Sequence, residues 1–127
     1  MRARLPACSR RSRSERWRLE EAEAWIDLLQ GRVARAERTF KFIVGERPKA
    51  HLSIKGLGYV AIERKDYSAA LALLQRSYGV NAKQILPSYT VPADRLIEAG
   101  ESASALTILD AGALAHPDDP TIEFLRA

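Results

Sequence analysis

The residues of this chain that could do nucleophilic or metal chemistry are few and widely separated. The sequence has one cysteine, Cys8, and two histidines, His51 and His116, which lie 65 positions apart. A lone thiol forms no internal disulfide and no thiolate zinc site, and a nucleophilic cysteine needs an ordered site that lowers its pKa. Asp118 and Asp119 are adjacent, which is typical of a helix cap and not of a shared catalytic site. We expect both histidines to be solvent-facing turn residues.

The motifs that accompany catalysis are missing from the sequence. There is no G-x-S-x-G elbow, no glycine-rich phosphate loop and no H-E-x-x-H pair. The "GLG" at 56–58 falls inside a helical pattern, where glycine allows close helix packing. The sequence therefore predicts a protein that is not an enzyme and that binds no cofactor and no metal.

Positive charge is concentrated at the N-terminus. The net charge is +4, but residues 1–18 contain seven arginines and only one acid, Glu15, so that the remainder carries 13 basic and 15 acidic residues. The arginines are Arg2, Arg4, Arg10, Arg11, Arg13, Arg16 and Arg18. A nearly neutral remainder does not favour nucleic acid as the partner of the folded part.

Residues 1–14 are predicted to form a basic, disordered arm, because like charges repel and little apolar surface tethers them. Arginine and serine enrichment also resembles a mitochondrial transit peptide, and clustered arginines could contact phosphates. "LPAC" looks like a lipoprotein cleavage box, but no apolar segment precedes Cys8. No apolar run approaches the ~18–20 residues that span a bilayer, so we expect no membrane insertion. Because a single cysteine fits a reducing compartment, we expect a cytoplasmic protein.

The remainder of the chain is predicted to be all-α. Apolar residues recur with helical spacing over 15–30, 32–44, 51–64, 67–78, 92–99, 102–115 and 120–126. Gly31, Gly45, Gly79 and Gly100 follow these runs, where helices commonly end in a left-handed residue. Asp66 is predicted to cap the fourth helix, and Asp119, followed by Pro120, the last one.

Three stretches superpose without gaps: "GRVARAERTF" (31–40), "KDYSAALALL" (65–74) and "GESASALTIL" (100–109). Ala36, Ala70 and Ala105 fall in register at intervals of 34 and 35, and a bulky apolar residue follows four positions later: Phe40, Leu74 and Leu109. Pro48 and Pro117 also fall in register, each twelve residues after the alanine of its copy. A helix pair recurring every ~34 residues is the period of tetratricopeptide repeats.

The middle copy, 51–84, resembles a tetratricopeptide repeat in Leu57-Gly58, Ala61, Tyr67, Ala70 and Leu74. The resemblance implies a domain over 15–127 with repeats at about 17–50, 51–84 and 86–119 and a short helix at 120–126. It implies a right-handed α-α superhelix of about three helix pairs, with Gly58 and Ala70 where two helices cross closely. The alternative is an unrelated helical bundle.

The outer copies depart from the family pattern. In the first copy, Glu20 and Glu23 occupy places where apolar residues are expected. In the third copy, Pro87 and Pro92 are expected to truncate the first helix to 92–99, because proline lacks an amide donor and clashes with the preceding turn.

The resemblance implies a concave groove lined mainly by the first helix of each pair. Its predicted partner-binding residues are Trp25, Leu28, Leu52, Lys55, Tyr59, Ile62 and Ile97. Apolar anchors edged by charge suit an amphipathic helix or an extended apolar peptide of a partner protein, so we expect a scaffold or assembly module. The alternatives are a secretion-type chaperone that shields an apolar export substrate and, more weakly, association with nucleic acid through the arginine-rich arm.

The C-terminal end carries a second predicted surface. A last helix of under two turns cannot sustain itself in water and covers little of its neighbour. We therefore expect self-association or partner binding through an end interface of Leu109, Ile122, Phe124 and Leu125.

Overall fold

The protein is all-α, as predicted. The computed structural model describes residues 4–127, with side chains described from Glu15 onward, and this part of the chain forms seven helices and no strand. The helices are α1 (Arg4–Leu29), α2 (Val33–Glu46), α3 (His51–Glu63), α4 (Tyr67–Val80), α5 (Pro87–Glu98), α6 (Ser102–Ala115) and α7 (Pro120–Arg126). None of them combines the length and the apolar character needed to cross a bilayer.

The helices are arranged as three successive pairs followed by α7. Helix α1 packs on α2, α3 on α4 and α5 on α6, while α3 also contacts α1 and α5. Helix α1 begins at Arg4, ahead of the predicted start at residue 15. Residues 1–3 and the side chains of 4–14 lie outside the described part, so the solvated arm stays a prediction.

The repeated small and bulky residues form the contacts between helices. Ala36, Ala70 and Ala105 are all buried, and so are the three bulky residues that follow them. A Cβ atom placed on Gly58 would lie 3.1 Å from Leu74 Cγ and 3.6 Å from the carbonyl oxygen of Ala70. Helices α3 and α4 therefore cross at the predicted small residues, because a larger side chain would force their axes apart.

The left-handed residues at the helix ends agree with the prediction only in part. Gly31 and Gly100 have φ values of 86° and 82° and link the helices of the first and third pairs. In the middle pair this place is taken by Lys65, with φ of 63°. The prediction was wrong for Gly45 and Gly79, which lie in the last turns of α2 and α4.

The two predicted aspartate caps are confirmed. The Asp66 carboxylate accepts a hydrogen bond from the Ala69 amide at 3.3 Å, and the Asp119 carboxylate accepts one from the Thr121 amide at 2.8 Å. Each carboxylate satisfies an amide that has no partner within its helix, which fixes where α4 and α7 begin.

The prediction that prolines truncate the fifth helix was wrong, since α5 runs from Pro87 to Glu98 with Pro92 inside it. Pro87 occupies the first helical position, where the missing amide costs nothing. Pro92 leaves the carbonyl of Ser88 without its usual helical donor, and the Tyr78 hydroxyl donates to that oxygen instead, at 2.6 Å. A side chain from α4 thus replaces the backbone hydrogen bond that proline cannot make.

The two ends of the helix stack differ in polarity. Glu20 and Glu23, the departures in the first copy, line the N-terminal end together with Asp27, whose carboxylate pairs with Arg32 at 2.9 Å and Arg35 at 3.6 Å. This face is polar, as the first unit of a stack requires. At the other end α7 packs the buried Ile122 against Gly112 of α6.

Candidate binding groove

Aromatic side chains join α1 to α3 along the row of first helices. The ring centroids of Trp25 and Tyr59 lie 5.1 Å apart at an interplanar angle of 87°, and those of Trp25 and Phe40 lie 5.4 Å apart at 65°. Both are edge-to-face contacts, which stabilise aromatic pairs beyond the area they bury. The two predicted groove aromatics therefore form one connected wall, backed by Phe40 of α2.

An open cleft of about 720 Å³ lies beside this wall, between α1 and the start of α3. Trp25, Ile26 and Leu52 supply its apolar lining, and Arg18 and Lys49 supply charge. Ile26 and Leu52 are 51% and 39% exposed, so their apolar surface is accessible to a ligand. A concave, partly apolar site with a few polar groups is the usual form of a binding cleft.

Buried polar contacts tie the first helices together beneath the groove. The Ser53 hydroxyl donates to Glu21 Oε2 at 2.6 Å and links α3 to α1. The Lys55 ammonium donates to Ser88 Oγ at 2.7 Å and links α3 to α5, while its Nζ lies 5.4 Å from the centroid of Trp25. Lys55, predicted to line the groove, is thus a buried part of the wall and not an open ligand-binding cation.

Burial shifts the ionisation of two groove residues in opposite directions. Desolvation lowers the pKa of Lys55, and the nearby charge of Glu21 partly opposes this by raising it. Burial raises the pKa of Tyr59 to about 12, with Arg95 acting in the opposite sense. In both cases the low-dielectric surroundings disfavour the charged form.

The other end of the row is closed more tightly. Tyr59, Ile62, Pro92 and Arg95 line a shallow depression between α3 and α5, and Arg95 forms an ion pair with Glu63 across these helices. Ile62 is buried. Leu28 is half-buried against the cluster around Phe40, so it supports the wall and offers little surface of its own.

Ile97 does not join the other predicted groove residues. It lies in a separate cleft of about 370 Å³ at the C-terminal end, together with Leu106, Leu109 and Leu125. The resemblance to the repeat family implied that Ile97 lines the groove. In the structure the α5 residues beside Tyr59 are Pro92 and Arg95.

The structure also separates the predicted end interface into core and surface. Leu109 and Ile122 are buried, and a Cβ atom on Gly112 would lie 2.8 Å from Ile122 Cδ1, which shows how closely α7 packs on α6. Leu125 is half-buried, and Phe124 is 79% exposed. Phe124 and part of Leu125 are therefore the accessible members of this set.

The Lys55–Ser88 pair has the residue types of a serine nucleophile with a lysine base, but not the access such chemistry needs. Lys55 is 8% exposed and Ser88 only 2%, so a substrate carbonyl has no path to the hydroxyl. Nor do the described residues bring three or more potential metal ligands together. The pair serves as a bridge between α3 and α5.

The histidines are packing residues, contrary to the solvent-facing prediction. His116 lies edge-on to Tyr89, with its Nε2 2.7 Å from the carbonyl oxygen of Gln84. The Nε2 atom of His51 lies 3.4 Å from Asn81 Nδ2, and His51 also lines the cleft beside Trp25. Both residues are half-buried because each lies where a helix end meets the preceding or following pair.

Sequence reasoning missed several contributors to the site, among them Ser53, Ser88, Ile26 and Trp17. The serines gave no usable signal, since isolated hydroxyl residues occur throughout the chain. Trp17 gave one, because a tryptophan side chain is on average highly buried and a solvated arm offers it no such place. No protein-family model matches the chain, and no curated protein matches it. The tetratricopeptide resemblance accordingly stays a prediction.

Proposed function

We propose that this protein is a non-enzymatic interaction module that binds a peptide or a helix of a partner protein along the groove formed by α1, α3 and α5. The observation that carries the proposal is the Trp25–Tyr59 wall beside an open cleft. The wall is held by the Glu21–Ser53 and Lys55–Ser88 contacts, so little ordering is needed when a ligand binds.

The cleft suits an apolar side chain of the ligand. Ile26 of α1 and Leu52 of α3 expose apolar surface in it, and Trp25 is part of its lining. Aromatic and aliphatic residues in a pocket with a polar edge are typical of the anchor points that dominate binding to peptides. The expected ligand is an amphipathic helix or an extended segment whose apolar residue enters between Ile26 and Leu52.

The proposal can be tested with peptides selected from a displayed library against the whole protein. Binding of a selected, labelled peptide is titrated by fluorescence anisotropy with wild-type protein and with the double variant Ile26→Asp/Leu52→Asp. Both side chains are already partly exposed, so the substitutions change the cleft without opening the core. We expect the dissociation constant to rise at least about tenfold, since two apolar contacts are replaced by solvated carboxylates.

The matched control is Phe42→Asp/Leu114→Asp, which makes the same kind of change at exposed residues of the second helices. It should bind as the wild type does. If both double variants lose affinity equally, or if neither does while circular dichroism shows all of them folded, the groove is not the binding site.

A further inference from the structure

A cluster of cations surrounds Trp17 at one end of the groove. The guanidinium carbon of Arg47 lies 4.9 Å from the Trp17 ring centroid, and that of Arg18 lies 5.2 Å from it. Trp17 also borders a cleft of about 490 Å³ whose lining includes Lys49. We name Trp17, Arg18, Arg47 and Lys49 the basic rim. It unites two segments that lie far apart in the sequence.

The positive charge of the basic rim is not balanced by ion pairs. Arg18, Arg47 and Lys49 are exposed, and none of them pairs with a carboxylate among the residues whose side chains are described. Five arginines elsewhere on the surface do form such pairs, namely Arg32, Arg35, Arg64, Arg95 and Arg126, whereas Arg38 and Arg76 form none within the described part of the chain. What distinguishes the basic rim is that its cations lie around an aromatic ring. Of the nearest acids, Glu21 is buried and accepts from Ser53, which leaves Glu46 at the edge of the smaller cleft.

The sequence ahead of Trp17 adds to this charge. Six further arginines precede it within residues 2–16, with Glu15 as the one acid. Helix α1 is continuous from Arg4 to Leu29, so five of these arginines, from Arg4 onward, belong to the helix that carries Trp17. The charge count along the sequence assigned the excess of positive charge to the N-terminal arm alone. The fold brings Arg47 and Lys49 next to Trp17, where this arm ends.

We propose that the basic rim binds single-stranded nucleic acid. Its lysine and arginines would neutralise phosphates, and an unpaired base would stack on the indole of Trp17 or on an adjacent guanidinium plane. An acidic peptide would use the cations but has no planar group for the aromatic ring. An anionic membrane needs a broad apolar face, and Trp17 is flanked in sequence by Arg16 and Arg18. The inference is independent of peptide binding in the groove.

The test uses the full chain and fluorescein-labelled 20-nucleotide oligouridine and oligothymidine, titrated by anisotropy at several salt concentrations. The charge reversal Arg47→Glu/Lys49→Glu should weaken binding at least about tenfold. For single strands the salt slope changes by about 0.7 per phosphate contact, so losing two contacts should reduce it by about 1.4. Binding of either oligonucleotide with this dependence supports the proposal.

The matched control is Arg76→Glu/Lys83→Glu, which reverses two exposed cations on and just after α4. It has the same net charge as the rim variant and should retain most of the affinity. If the two variants lose affinity equally, binding is a general charge effect of the arm and the proposed site is wrong. Absence of binding at low salt overturns the proposal as well.

Stacking has a separate readout. The chain has two tryptophans, so Trp25→Phe leaves Trp17 as the sole indole emitter. Oligouridine should quench its fluorescence, while polyglutamate of equal length and vesicles of phosphatidylcholine with phosphatidylserine should not. Equal affinity for polyglutamate or for the vesicles, with no quenching by the oligonucleotide, would show that the basic rim is a different kind of site.

Discussion

Gly56 offers a sharp test of how α2 and α3 pack. A Cβ atom at this position would lie 2.5 Å from Phe40 Cε2 and Cζ and 2.8 Å from Cδ2. Nonbonded carbon atoms prefer about 3.5–4.0 Å, so Gly56→Ala requires the ring to move by roughly 1 Å. Phe40 is fully buried and its ring contacts Trp25, so there is no solvent-filled space for that movement.

The expected change in stability combines two opposing terms. Replacing glycine by alanine within a helix stabilises by roughly 0.5–1 kcal/mol, whereas overpacking a core costs about 1–3 kcal/mol. Because the overlap is with a ring that cannot move into solvent, we expect the second term to dominate. Gly56→Ala should lower the free energy of unfolding by about 1–2 kcal/mol, measured by urea denaturation followed by circular dichroism.

The control is Gly79→Ala. A Cβ atom at Gly79, in the last turn of α4, meets no atom within 4 Å, so this variant should be at least as stable as the wild type and gain at most about 0.5–1 kcal/mol through the helix term. Combining Gly56→Ala with Phe40→Leu should cost less than the sum of the two single changes, since the shorter side chain makes room for the new methyl group. If Gly56→Ala is at least as stable as the wild type while Gly79→Ala behaves as stated, the packing described for Phe40 is wrong.

Three further predictions concern the core, a buried phenol and the arm. Ala70→Asp should cost more than about 3 kcal/mol, because an unpaired carboxylate would be buried at the α3–α4 crossing; an unchanged thermal transition would refute that register. The pKa of Tyr59 is raised to about 12 in the folded state, above its ordinary value near 10, so between these pH values the folded state holds the proton more strongly and stability falls as pH rises. By linkage the loss is roughly 3 kcal/mol. Tyr59→Phe should remove that part of the alkaline slope, and the reasoning fails if the urea midpoints of this variant between pH 10 and 12 follow those of the wild type. Deleting residues 1–14 shortens α1 but should leave the melting temperature nearly unchanged, and a loss of several degrees would show that the arm packs on the domain.

The sequence alone determined the helix pairs and the small residues at which α3 and α4 cross. Small residues recurring every ~34 positions mark where two helices must approach, because only a small side chain permits that distance. The same local logic placed the Asp66 and Asp119 caps, since a cap depends on atoms within one helical turn. The burial of Ala36, Ala70 and Ala105 follows from this register.

Tertiary structure decided which side chains meet between distant segments. From sequence alone, Pro92 predicts a break in the helix. In the structure the Tyr78 hydroxyl supplies the hydrogen bond that proline cannot donate, and nothing near Pro92 in the sequence indicates this donor. The sequence predicted Lys55 to be an exposed cation in the groove. In the structure it is buried and donates to Ser88 of α5.

The basic rim and the two glycines of "GLG" also have contacts with distant segments that the sequence alone did not predict. Arg47 joins Trp17 only when α2 folds back along α1, so a charge count along the chain could not reveal their contact. Gly56 faces Phe40 of α2, whereas Gly58 faces Leu74 of α4. Sequence periodicity shows that a residue is packed, but its partner depends on how separate helices are placed in space, which is a property of the whole fold.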